Sequence, residues 1–128
     1  MQLRGVHHIA VIATDYERSK AFYCGVLGCT LLREVHRADR DSWMGDLALN
    51  GSYLIELFSF PSPPARATWP EATGLRHLAF AVESVAEARR ELLAAGVRCE
   101  EVRTDPHTGK QMMFFFDPDD LPLELYQV

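Results

Sequence analysis

The stretch SYLIELFSF, residues 52–60, reads as a buried β-strand with one misfit, Glu56, an acid between Ile55 and Leu57. A second stretch, LPLELYQV at residues 121–128, repeats the anomaly at Glu124, between Leu123 and Leu125. An ionised carboxylate in apolar surroundings costs several kcal/mol unless a cation, a metal, a raised pKa or solvent contact accommodates it. Two such acids in two similar strands ask for one explanation.

Working outward, HHIAVIA at residues 7–13 is β-rich and ends before Asp15, a good helix N-cap. Helical spacing then predicts a helix over Tyr16 to Leu27, stopped by Gly28. Strands are expected at Thr30 to Val35, at Met44 to Leu49 and in the opening stretch, with Asn50-Gly51 as the hairpin turn between the last two. After Phe60, PSPPARATWPEAT carries four prolines and reads as a linker over residues 61–73.

Beyond the linker the pattern restarts. Leu75 to Val82 reads as a strand, Ser84-Val85-Ala86-Glu87 as a capping box, and Val85 to Ala95 as a helix stopped by Gly96. Strands are predicted at about Arg98 to Arg103, Gln111 to Phe116 and Leu121 to Tyr126, with DPDD as the last turn. The chain is therefore expected to be α+β, a single domain over residues 1–128. It is built of two tandem βαβββ modules, about 4–60 and 74–128, with sheets curled around a common cleft.

The duplication aligns the misfits. His8 precedes Glu56 by 48 positions and His77 precedes Glu124 by 47, and HIAVIATD matches HLAFAVES. Alone, a strand His or Glu would be read as a hydrogen-bonded or edge residue. As matched pairs, two imidazoles and two carboxylates suit a divalent ion of the Zn, Ni, Co, Mn or Fe group, with positions left for water or substrate. Strand alternation puts His7 and His8 on opposite faces, so His8 is the expected ligand and His7 an outward residue. His36 and His107 fall in predicted loops and are left out of the site.

Composition narrows the function. With 48% hydrophobic residues and a net charge of −5, the chain has no basic footprint for nucleic acid and no apolar run long enough to span a membrane. The start MQLRGVHH offers no apolar signal core, so a cytoplasmic location is expected. Three cysteines without a C-x-x-C pair are expected to be reduced packing residues.

HIAVIATDYERSKAFYCGVLGCTL, IEL, GLRHLAFAV and FFDPDDLPLEL resemble the vicinal-oxygen-chelate superfamily, and within it the small bacterial glyoxalase I (lactoylglutathione lyase) type. The resemblance implies metal ligands at His8, Glu56, His77 and Glu124, a single divalent ion (Ni, Co or Zn, with Mn or Fe as further candidates), and a homodimer in which modules of different chains pair. It also implies proton transfer beside a metal-polarised carbonyl, converting a methylglyoxal–thiol hemithioacetal to a lactoyl thioester. Glu124 is then the expected base and Glu56 its opposite-face counterpart.

Two positions depart from the glyoxalase pattern. Ile12 and Phe60 stand where those enzymes carry an Arg and an Asn that contact glutathione. An isomerase or lyase with a different, non-glutathione substrate, and a small-molecule binding or resistance protein without turnover, are therefore the alternative expectations. Phe58, Phe60, Trp43, Met44, Met112 and Phe114 are candidate pocket walls, and Arg37, Arg40 and Lys110 are candidate contacts for an anionic substrate.

Overall fold

A computed structural model describes all 128 residues. The chain forms two compact units, Met1–Pro64 and Ala65–Val128, each holding one four-stranded sheet. The first contains β1 (Ile9–Ala13), α1 (Tyr16–Lys20), β2 (Thr30–Arg37), β3 (Ser42–Leu49) and β4 (Ser52–Ser59). The second contains β5 (Leu78–Val82), α2 (Val85–Ala94), β6 (Arg103–Thr104), β7 (Gln111–Phe116) and β8 (Pro122–Gln127). The sheet orders, β1-β4-β3-β2 and β5-β8-β7-β6, are the same βαβββ topology twice, so the α+β duplicated fold is as expected.

Each sheet has one closed face. Ile55 and Leu57 of β4 are fully buried, as are Leu123 of β8 and Met113 and Phe115 of β7. These alternate residues face the helix of their own unit, and α1 packs on β4 as α2 packs on β7 and β8. Asp15 caps α1 by accepting from the Arg18 amide at 3.0 Å, and Ser84 caps α2 through the Glu87 amide. The residues between, Glu56 and Phe58 in β4 and Phe114 in β7, are only half-buried. Asn50 and Gly51 both take positive φ, 50° and 79°, as a two-residue hairpin turn requires.

The predicted helix over Tyr16 to Leu27 changes register midway. From Ala21 to Val26 it is π-helical, with the Leu27 amide reaching back five residues to the Phe22 carbonyl at 3.1 Å. The wider turn lets the consecutive residues Phe22 and Tyr23 both bury, at 8% and 0% exposure.

The strand expected over Arg98 to Arg103 is broken. Cys99 makes a single bridge to Phe115, and only Arg103 and Thr104 continue as β6. The pairing slips by one residue between Cys99–Phe115 and Arg103–Met112, and within the slip the Glu100 carbonyl accepts from the Arg89 Nε of α2 at 3.0 Å. The cysteines are free thiols. Burial raises the pKa of Cys24 and Cys99 and pushes that of Cys29 up to about 11, so all three stay protonated as packing residues. No helix is long and apolar enough to cross a membrane.

Candidate metal centre

The two misfit acids occupy equivalent places in the two sheets. β1 and β4 run parallel with Ala10 beside Glu56, and β5 and β8 run parallel with Ala79 beside Glu124. His8 and His77 lie two residues before those alanines, each just ahead of its strand rather than within it as predicted. The shared register brings each imidazole to its acid. His8 Nε2 is 3.3 Å from Glu56 Oε2, and His77 Nε2 is 3.0 Å from Glu124 Oε2.

These separations suit two donors on one ion. Neighbouring ligands about 2.1 Å from an ion stand roughly 3.0 Å apart at octahedral right angles and roughly 3.4 Å apart at tetrahedral angles. Each unit therefore presents one nitrogen and one oxygen at the spacing of adjacent ligands. The pairs belong to different units, and no three His, Cys, Asp or Glu side chains form a metal-sized group by themselves.

The surroundings of the two pairs differ. In the first unit Asp46 of β3 lies directly across from Glu56. Like charges so placed repel, but Arg33 of β2 takes up the Asp46 charge, its NH2 group 2.7 Å and its Nε 2.9 Å from Oδ2. Tyr53 donates its hydroxyl to the other oxygen of Asp46 at 3.0 Å and stacks on the His8 ring. Burial, followed by the Asp46 hydrogen bond and the charges of Asp46 and Glu56, pushes the Tyr53 pKa up to about 12, so it remains a donor.

Strict alternation would turn Tyr53 away from Glu56. A bulge on β4 removes that alternation, since Ile55 pairs with Leu47 while Tyr53 pairs with the next residue, Ala48. Tyr53, which sequence reasoning missed, joins the Glu56 surroundings for this reason. His7 is a second correction. It precedes β1, so strand alternation does not govern it, and its Nδ1 lies 2.8 Å from Nδ1 of His8. One of these nitrogens donates and the other accepts, which fixes the His8 ring with Nε2 toward Glu56.

In the second unit Phe114 takes the position of Asp46, directly across from Glu124. The His77 ring meets it edge to face at 5.1 Å, and the guanidinium of Arg103 lies 5.3 Å from its ring centre. The His77 Nδ1 is buried without a hydrogen-bond partner. Glu124 is the more enclosed acid, its side chain 9% exposed against 21% for Glu56. His36 and His107 stand apart, His36 facing Asp41 at 3.5 Å and His107 lying in the exposed turn after Asp105.

Comparison with known proteins matches the same span. The uncharacterized protein YaeR of Escherichia coli (strain K12) is 62% identical over 125 residues, covering 98% of this chain and 97% of its own. The crystal structure of a glyoxalase family protein from Enterococcus faecalis is similar with a TM-score of 0.91 and 46% identity, over 99% of this chain and 100% of that one. A glyoxalase I mutant from Zea mays shares the fold at a TM-score of 0.82 and 21% identity, over 95% of this chain and 44% of that one. The family model for the Glyoxalase/Bleomycin resistance protein/Dioxygenase superfamily matches residues 5–125, and the chain belongs to that superfamily.

Proposed function

We propose that His8, Glu56, His77 and Glu124 are the four protein ligands of one divalent ion, in a lyase or isomerase of the glyoxalase I type. The observation that carries this reading is the duplicated His–Glu pair, held in the same register in both sheets at 3.3 and 3.0 Å. Proteins of this superfamily often bind a divalent metal. The nitrogen and oxygen donors suit Ni, Co or Zn, with Mn or Fe as further candidates.

When bound, the ion supplies Lewis-acid polarisation of the substrate carbonyl. Glu124 takes the proton from the carbon beside that carbonyl and returns it to the neighbouring carbon. Its low exposure supports this role, because a shielded carboxylate loses less of the proton to solvent. Glu56 is its counterpart in the other module. On a hemithioacetal of methylglyoxal the carbon bearing sulfur gives up its hydrogen and the adjacent carbon gains one, while the hydroxyl proton passes to the other oxygen. The product is a lactoyl thioester.

Each chain carries one pair per module, and we place the complete site in a homodimer that pairs modules of different chains. Leu32 and Val35 on the edge strand β2 support this, since they leave apolar side chains 58% and 40% exposed. A non-glutathione substrate is the second reading, favoured by Ile12 and Phe60 at the positions of the glyoxalase glutathione contacts. One assay separates the two. The protein is loaded in turn with Ni, Co, Zn and Mn, and lactoyl thioester formation is followed from methylglyoxal premixed with glutathione. Turnover that disappears in His77→Ala supports the glyoxalase reading. Inactivity with every bound metal retires methylglyoxal–glutathione as the substrate.

A further inference from the structure

We propose that Arg37 binds an oxyanion on the substrate, so that the substrate is a small vicinal-oxygen compound with a carboxylate or phosphonate tail. This rests on the metal reading above and adds the group the ion does not hold. Arg37 pairs with Ser42, Met44 with Phe58, and Asp46 with Glu56, so these side chains share the Glu56 face of the first sheet. Phe58 is the next residue on that face after Glu56, about 7 Å along the strand. The Arg37 guanidinium lies over it at 4.9 Å from the ring centre and over Phe60 at 5.5 Å.

The charge of Arg37 is unmatched. Arg33, Arg76, Arg89, Arg98 and Arg103 each face a carboxylate within 3.6 Å. Arg37 makes no such pair. Its NH2 group donates to the buried Ser42 hydroxyl at 2.8 Å, and its Nε is buried with no acceptor. A half-buried guanidinium with a neutral partner forgoes most of its hydrogen-bonding capacity, and two aromatic faces compensate only in part. A planar donor fork beside an apolar wall is suited to a carboxylate or phosphonate. Phe60, where glutathione enzymes have an amide, forms part of that wall, and exposed Ile12 lies on the same face through its pairing with Phe58. The molecule is thus built for a short, partly apolar anion.

The test uses two hydroxamates, which chelate metal through vicinal oxygens, on the full-length protein loaded with Ni. Butanohydroxamate has a neutral tail, and N-hydroxysuccinamate has a carboxylate at the same end. Calorimetric titration is expected to show the anionic probe binding at least about tenfold tighter. Arg37→Met abolishes that preference while leaving the neutral probe within about twofold, which also reports an intact fold. Arg37→Lys, keeping the charge without the fork, retains part of the preference. A phosphonate-tailed hydroxamate tells which oxyanion is preferred, and a preference for either that depends on Arg37 supports the assignment. Neutral and anionic probes binding equally, or a preference that survives Arg37→Met, overturns the role of Arg37 with the metal reading intact. Failure of the protein to take up Ni removes the metal reading and this one with it, whereas failure of both probes to bind Ni-loaded protein overturns the proposed substrate class alone.

Discussion

Tyr53 stacks on His8 with ring centres 5.1 Å apart and planes inclined by 27°, and the same tyrosine donates its hydroxyl to Asp46. The imidazole is thereby clamped between Tyr53 and the Nδ1 contact with His7. Groups that orient a metal-binding histidine typically account for about 10–100-fold in affinity. Tyr53→Ala is expected to weaken metal binding by roughly that factor. Tyr53→Phe keeps the stack and loses only the Asp46 bond, so it should fall between that variant and wild type. Chelator competition measures both, and equal affinities in all three proteins contradict the clamp.

Gly45 of β3 is kept small by Tyr16. A Cβ at position 45 would collide with the Tyr16 hydroxyl, which donates to Glu34 at 2.9 Å. Tyr16 is only 4% exposed and has little room to retreat. Gly45→Ala should therefore destabilise the fold by about 1–3 kcal/mol, as overpacking does. Urea denaturation reads this directly. Adding Tyr16→Phe, which removes the colliding oxygen, should recover part of the loss.

Lys20 and Glu34 give the stability a pH dependence. The Lys20 ammonium, 2.7 Å away, is the main cause that holds the Glu34 carboxyl below its ordinary 4.5, with Tyr16 adding to it against a smaller effect of burial. A carboxylate depressed in the folded state stabilises above its unfolded pKa, and the gain is lost as pH falls through the folded value. Lys20 itself is raised above 10.5, chiefly by its bond to Glu34, so its share persists until the pH climbs past that folded value. Lys20→Met should be less stable than wild type at neutral pH by up to about 1 kcal/mol. The two stabilities should converge as pH drops below the ordinary carboxylate range. A gap that stays constant in acid contradicts this.

Glu124→Gln should keep the fold and abolish turnover. The amide can still fill the space beside His77 and across from Phe114, but it cannot accept and return a proton at the reacting carbon. Its thermal midpoint should stay within a few degrees of wild type, since Gln has the volume of Glu and its amide oxygen can still accept a hydrogen bond beside His77 Nε2. An unchanged rate on an identified substrate removes Glu124 from the proton transfer.

Much of the fold was legible because two periodicities carry it. Alternation marks Ile55 and Leu57, or Leu123 and Leu125, as buried, and the caps Asp15 and Ser84 start the helices where they should. The repeat spacing marks His8 with Glu56 and His77 with Glu124, because parallel pairing of the first and last strands turns equal spacing into equal register. What was not legible lies in local departures from regular geometry and in one contact between elements. A one-residue bulge of β4 brings Tyr53 toward His8, β1 starts only at Ile9 and leaves His7 to meet its neighbour His8, and Arg89 of α2 reaches the Glu100 carbonyl. The surroundings of the first pair therefore differ from those of the second, although the pairs themselves repeat.

Metal titration of single-ligand variants tests the four-ligand site most directly. Wild-type protein is predicted to bind one Ni per chain, with His8→Ala and His77→Ala each lowering the affinity by at least about a hundredfold, since either change removes a donor from the same ion. Two ions per chain, or half of the metal retained at wild-type affinity after either substitution, would show that the pairs act separately and would contradict a single shared centre.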